Sequence, residues 1–460
     1  MKNLGTICVQ GGYEPGNGEP RQIPIIQSTT FKYDSSETMG KLFDLEASGY
    51  FYSRLANPTC DHVAARICAL EGGSAAMLTG SGQAANFYAV FNLAGCGDHV
   101  VCSSAIYGGT YNLFNVTMRR MGIDFTFVHP DCTNEELEAA FKPNTKAVFG
   151  ETIANPALTV LDIERFANAA HAHGVPLIVD NTFPTPVNCR PIEWGCDIVT
   201  HATTKYMDGH GSTVGGCIVD SGRFDWMAHA DKFPGFTTPD ESYHGVVYAE
   251  KFGNEGAYIN KCTAQLMRDL GSVCAPQTAF YIGLGLESLH LRMAQHCKNA
   301  LAVAEHLQQH EKIAWVNYPG LPSSKSHALA EKYLPGSQPF FSFLLHFRFV
   351  VVIAVLTLFF AAIFRWSTGL RPRFGEVLPG ALTAAVGWSV FSWAFSTWVS
   401  VTGSYGTYGS LVTVVVVMLW LYYCQYILLL SACLNRALPK LRRRGEPEPE
   451  SEPAPKPDKK

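Results

Sequence analysis

Along residues 1–335, short apolar runs alternate with longer segments in which apolar residues recur at helical spacing. Ala147–Gly150, Leu177–Asp180 and Asp197–Thr200 are such runs, each followed by turn residues. Between the first two lies Leu161–Gly174 (LDIERFANAAHAHG). Its apolar positions recur with the helix period and a glycine closes it, which predicts a helix with a left-handed residue after its last turn. Strands alternating with helices predict an α/β domain with a mostly parallel sheet. Ligands of such sheets sit beyond the carboxyl ends of the strands, so the chemistry is expected just after the apolar runs.

Near residue 340 the pattern changes. Phe349–Phe364 is a run of 16 residues without charge between Arg348 and Arg365. Val377–Asn435 is 59 residues without Asp, Glu, Lys, Arg or His. A water-soluble surface cannot be built from such a stretch, because nothing in it is strongly hydrated. Gly403–Gly409 (GSYGTYG) reads as a turn inside it. The expectation is an all-α transmembrane segment of three helices over 343–437, with spans near 349–364, 378–401 and 411–433. The flanking arginines of the short first run can snorkel. Residues 336–342 form a seam, and the Pro- and charge-rich stretch 438–460 is expected to be a disordered tail.

Totals over 460 residues average the two halves and classify neither. The formal net charge of −4 carries no basic excess, so no nucleic acid is expected as partner. The opening MKNLGTICVQGGYEPG lacks an apolar h-region and does not read as a secretory signal. Twelve of the 14 cysteines precede residue 300 without a C-x-x-C pair, a pattern of reduced core thiols rather than a metal site or disulfide framework.

Four motifs carry candidate chemistry. Asp180 ends an apolar strand and is costly to bury without a cation, such as a protonated pyridine nitrogen; a helix-capping aspartate is the plainer reading. Thr203-Thr204-Lys205-Tyr206-Met207-Asp208-Gly209-His210-Gly211 sets a lysine among hydroxyls and glycines suited to a phosphate, though a lone lysine is usually a solvated surface group. Thr79-Gly80-Ser81-Gly82-Gln83-Ala84-Ala85 opens a helix whose free N–H groups can hold a phosphate. Ala105-Ile106-Tyr107-Gly108-Gly109-Thr110 puts an aromatic ring in a loop after the strand His99–Cys102.

In this order and spacing the four motifs resemble the Cys/Met-metabolism family of pyridoxal-5′-phosphate (PLP) enzymes. The likeness runs from about Leu4 to about Tyr333. Gly235-Phe236-Thr237, Ser242-Tyr243-His244-Gly245 and Phe252-Gly253 resemble an insertion found in its O-acetylhomoserine sulfhydrylase branch. The resemblance implies an aspartate-aminotransferase-like PLP-dependent transferase fold over 1–335. It implies that Lys205 binds the cofactor covalently and shuttles protons, that Asp180 keeps the pyridine nitrogen protonated, and that Tyr107 stacks on the ring and assists the leaving group. Gly82, Gln83 and Thr204 would bind the phosphate, and Asn155 the ring hydroxyl. Tyr52 and Arg54 would reach the phosphate of a neighbouring protomer in a dimer or tetramer. The implied reaction replaces the acetate of O-acetyl-L-homoserine with sulfide or a thiol, giving homocysteine or methionine. Two departures stand out: Ala202 occupies a position where the family usually has a phosphate-binding serine, and the likeness stops near Pro335, before the arginine that clamps the substrate carboxylate.

Leu378-Pro379-Gly380-Ala381, Trp388, Tyr405–Ser410, Leu419–Tyr422 and Leu434-Asn435 resemble the last three spans of the YihY/BrkB family of bacterial inner-membrane proteins. Arg365, Arg371 and Arg373 load the first loop, and Arg436, Lys440 and Arg442–Arg444 load the tail. The positive-inside rule puts both in the cytoplasm and sends residue 340 outside. A cytoplasmic enzyme part and a multi-pass inner-membrane part therefore conflict, so the expectation is a chimera of two truncated proteins, with catalytic competence in doubt.

Overall fold

A computed structural model describes residues 3–334, 353–366, 374–402 and 409–444. The chain divides into two compact units, Met1–Pro339 and Phe340–Lys460. The seam 336–342, most of the 403–409 turn and the tail beyond 444 lie outside the described residues.

The first unit is built on a seven-stranded sheet: β1 (Ala75–Thr79), β2 (His99–Ser103), β3 (Asp124–Val128), β4 (Thr145–Glu151), β5 (Leu177–Asp180), β6 (Ile198–His201) and β7 (Gly216–Asp220). The order is β1-β7-β6-β5-β4-β2-β3. Strands β3, β2, β4, β5 and β6 run parallel, whereas β7 is antiparallel to both β1 and β6. The parallel strands β2, β5 and β6 are buried at every position, as continuous apolar runs in a covered sheet must be. Register sets Glu151 beside Asp180, and Asp180 beside Thr200, at the carboxyl ends of three neighbouring strands.

The predicted helix between β4 and β5 spans Ile163–Ala172. The Asp162 side chain caps it by accepting from the Arg165 amide, and Gly174 follows at φ +62°, a conformation glycine takes without a Cβ penalty. The helix Pro58–Glu71 is capped by Asn57, carries proline at its first position and ends at left-handed Gly72. In the 235–253 insertion, Phe236 is buried and stacks on Trp226 with ring centroids 4.2 Å apart. All 14 cysteines are free.

The second unit has helices Ile353–Trp366, Phe374–Thr402 and Gly409–Arg444. Two stretches, Phe374–Ser392 and Met418–Ala437, are long and apolar enough to cross a membrane; Ile353–Trp366 is shorter. Large apolar side chains face outward, among them Leu358, Val390 and Leu429, more than soluble proteins usually expose. Pro379 lies inside its helix. Nearby, the Gly380 amide donates to Asn435 Oδ1 at 2.7 Å, and Asn435 Nδ2 donates to the Val377 carbonyl at 3.2 Å. Trp420 Nε1 donates to Ser392 Oγ at 3.2 Å, a second polar link between the same two helices.

Candidate active site

Beyond the carboxyl ends of the parallel strands lies a cavity of about 190 Å³. Its walls include Gly82, Gln83, Tyr107, Asn155, Asp180, Thr204 and Lys205, so seven of the nine residues expected from the sequence line one space. Tyr52 and Arg54 are not among its lining residues within the single chain; the Arg54 guanidinium lies over the Tyr52 ring, 5.2 Å from its centroid.

The phosphate-side wall follows from local sequence. Strand β1 runs into Gly80 and Ser81, and Ser81 Oγ accepts from the Ala84 amide to cap the helix Gly82–Phe91. That leaves the Gly82 and Gln83 amides as first-turn donors without a partner among the described residues. A Cβ at Gly82 would lie 2.4 Å from the Ala202 Cβ, so the lysine loop and the helix opening approach at a distance only glycine permits.

Asp180 forms the floor and is 7% exposed. Its Oδ2 accepts from Asn86 Nδ2 at 3.0 Å, and its Oδ1 accepts from the Thr182 amide at 3.0 Å and from Thr182 Oγ1 at 2.5 Å. Asn86 also donates to Thr110 Oγ1 and accepts from Thr200 Oγ1, while Thr110 donates to Gln83 Oε1 at 3.0 Å. Thr182 Oγ1 in turn accepts from the Ala202 amide at 2.8 Å, joining the floor to the lysine loop. These partners are neutral, and no cation bonds Asp180 among the described residues.

The lysine loop is held from behind. Buried Asp208 accepts from the Ser212 amide at 2.9 Å, the Ser212 hydroxyl at 2.7 Å and the His210 amide at 3.2 Å. Burial alone would raise its carboxyl, but those hydrogen bonds prevail and hold it below the usual range. Arg292 Nη1 donates to the Tyr206 carbonyl at 2.7 Å. Lys205 itself is exposed, and its ammonium makes no hydrogen bond or ion pair among the described residues. Thr204 Oγ1 exchanges hydrogen bonds with the Gly215 backbone. Thr203 Oγ1 is buried without a partner among the described residues.

Sequence reasoning missed Glu151, Asn86, Thr110 and Thr182. Glu151 lines the cavity and is 5% exposed, and its Oε2 accepts from the Tyr107 amide at 2.5 Å. Burial first, and the neighbouring Asp180 charge second, push its carboxyl up to about 9, although the Tyr107 and Asn155 amides pull the other way. Its signal was its place at a strand end, four residues before Asn155. Asn86 sits one helical turn after Gly82, on the same face.

The donor set fits pyridoxal phosphate: free amides at a helix opening, a buried carboxylate without a cation among the described residues, an uncommitted lysine and a half-exposed tyrosine ring beside them.

Comparison with known proteins finds two families whose matches overlap over residues 320–368, so the enzyme-family match runs past the expected end near Pro335. The family described as Cys/Met metabolism PLP-dependent enzyme matches residues 5–368, and the family described as virulence factor BrkB matches residues 320–457. The chain is 49% identical to the homocysteine synthase of Schizosaccharomyces pombe over 331 residues, 72% of this chain and 77% of that one. It is 44% identical to the O-acetyl-L-homoserine sulfhydrylase of Leptospira meyeri over 336 residues, 71% of this chain and 75% of the relative. A crystal structure of an O-acetylhomoserine (thiol)-lyase from Campylobacter jejuni, carrying a pyridoxyl-lysine phosphate, superposes with a TM-score of 0.70 at 35% identity, covering 73% of this chain and 82% of that one. The chain thus joins segments matching two different families, and through residues 5–368 it belongs to the Cys/Met metabolism PLP-dependent enzymes.

Proposed function

We propose that residues 1–335 form a pyridoxal-phosphate-dependent O-acetyl-L-homoserine sulfhydrylase. The observation that carries this reading is the meeting of Lys205, Asp180, the Gly82 helix opening and Tyr107 around one cavity. The relatives named homocysteine synthase and O-acetyl-L-homoserine sulfhydrylase supply the substrate class.

When bound, pyridoxal phosphate supplies an electron sink for the carbanion at the substrate's α carbon. The protein does the rest. Gly82, Gln83 and Thr204 would hold the phosphate, Asn155 the ring hydroxyl, and Asp180 a proton on the ring nitrogen. Lys205 would anchor the cofactor and carry protons between the substrate's α and β carbons. Tyr107 would stack on the ring and steady the departing acetate. In the net reaction the Cγ–O bond breaks with its electron pair going to acetate, and hydrosulfide forms the Cγ–S bond of homocysteine. Tyr52 and Arg54 complete the phosphate site of a second protomer, so the working unit is at least a dimer.

The family's carboxylate-clamping arginine has no counterpart in residues 1–335, and losing such a bidentate pair removes orientation as well as affinity. The test is homocysteine and acetate release from O-acetylhomoserine and sulfide by the full chain in detergent. Turnover is expected to rise almost linearly with substrate, with an apparent KM raised about 100-fold over an intact site, as loss of roughly 3 kcal/mol implies. Turnover that persists in Lys205→Ala would sink the assignment.

A second reading applies to residues 343–437: three spans of a multi-pass inner-membrane protein in contact with lipid, followed by a tail at 438–460. It is supported by the two spanning-length apolar helices and the BrkB match. Its arginine distribution opposes a cytoplasmic enzyme part, so the fusion joins two truncated proteins whose activities are not coupled. Carbonate-resistant membrane retention of residues 336–460 supports this reading, and release by carbonate excludes it.

A further inference from the structure

We infer that Glu71, His201 and Asn181 form a buried positioning hub that fixes the spacing of the three strand ends carrying the cofactor pocket. This rests on reading that pocket as the pyridoxal phosphate site. Glu71, the last residue of the helix Pro58–Glu71, has no exposed surface. Its Oε1 accepts from His201 Nε2 at 2.7 Å and from Asn181 Nδ2 at 2.9 Å. Asn181 Oδ1 accepts from Thr152 Oγ1 at 2.9 Å, and the Asn181 amide donates to the Thr200 carbonyl at 2.9 Å. Three of these residues lie one position from the pocket lining. Thr152 follows Glu151, Asn181 follows Asp180, and His201 precedes Ala202 and the lysine loop.

Stability alone accounts poorly for this cluster. Glu71 Oε2 and His201 Nδ1 are buried without partners among the described residues. A buried carboxylate left half satisfied is costly, and well-packed apolar residues of similar volume often do better. What apolar residues cannot do is fix three strand tips in register by directional bonds. Pocket groups must be held within about 0.5 Å of their working positions by a supporting shell of this kind. None of the three residues lines the cavity, so they act through Asp180 and Lys205.

The test titrates the full chain in detergent with pyridoxal phosphate, following the visible absorbance of wild type, Glu71→Gln and Thr152→Val, with melting of each cofactor-free protein as the fold control. Glu71→Gln is expected to raise the cofactor Kd about tenfold, the low end of the scale on which outer-shell partners act, and Thr152→Val to raise it by less. Both cofactor-free melts should stay cooperative. Wild-type affinity in both variants overturns the inference alone, as does an affinity loss seen only where the fold itself is lost. No binding by wild type overturns the pocket reading and this inference with it.

Discussion

Glu151 and Asp180 stand side by side at adjacent strand ends, both nearly buried. Burial and the Asp180 charge keep Glu151 protonated through the neutral range, with its carboxyl up to about 9 against an ordinary 4.5. A folded-state value raised above the unfolded one contributes stability that is complete below 4.5 and lost as pH rises through 9. Glutamine mimics the neutral acid without titrating. Glu151→Gln should therefore gain in melting temperature relative to wild type as pH climbs from 4.5 to 9, then level off. A difference that stays flat with pH would mean that Glu151 is ionised throughout. Ala202→Ser should restore a hydroxyl at the cavity wall and tighten pyridoxal phosphate binding roughly tenfold by equilibrium dialysis, the value of one charge-assisted hydrogen bond; unchanged or weaker binding would mean the side chain cannot reach the phosphate. Lys205 and Asp180 were legible in the sequence because each sits in a local motif with a chemical meaning. Glu151, Asn86 and Thr110 were not, because a glutamate or an asparagine acquires its role only when register and helix face bring it to the cavity.

At the scale of elements, the helix Gly82–Phe91 is positioned by what it lacks. With only 2.4 Å between a Cβ at position 82 and the Ala202 Cβ, Gly82→Ala forces the lysine loop and the helix apart. The expected outcome is a destabilisation of about 1–3 kcal/mol in denaturant melts, as overpacking brings, and loss of cofactor binding; retention of both would show that the loop yields freely. Apolar runs in the sequence located β4, β5 and β6 to within a few residues. They could not show that β7 runs against its neighbours, because Gly216–Asp220 reads as an apolar run in either direction. In the second unit, Asn435 bonds the backbone on either side of Pro379. Between membrane helices such a hydrogen bond is worth about 0.6–1.7 kcal/mol, so on the membrane reading proposed above Asn435→Leu should lower the detergent melting temperature of residues 336–460. An unchanged melt would mean that apolar packing around Ala381, Ala384 and Ala385 suffices.

At the scale of the molecule, two kinds of protein share one chain, and their needs differ. The first unit places its polar chemistry around a sheet-end cavity; the second turns large apolar side chains outward, as lipid-facing helices do. The division was visible in charge patterning, because the absence of ionisable residues over Val377–Asn435 needs no fold to be read. The central claim is that the first unit retains a working cofactor site although the chain continues into a segment that matches a different family. The most direct test is the absorbance spectrum of the purified full chain with pyridoxal phosphate, measured on wild type and Lys205→Ala. The account predicts a protein-bound band near the edge of the visible range in wild type that is missing in the variant. The same spectrum from both proteins, with or without a band, would contradict it.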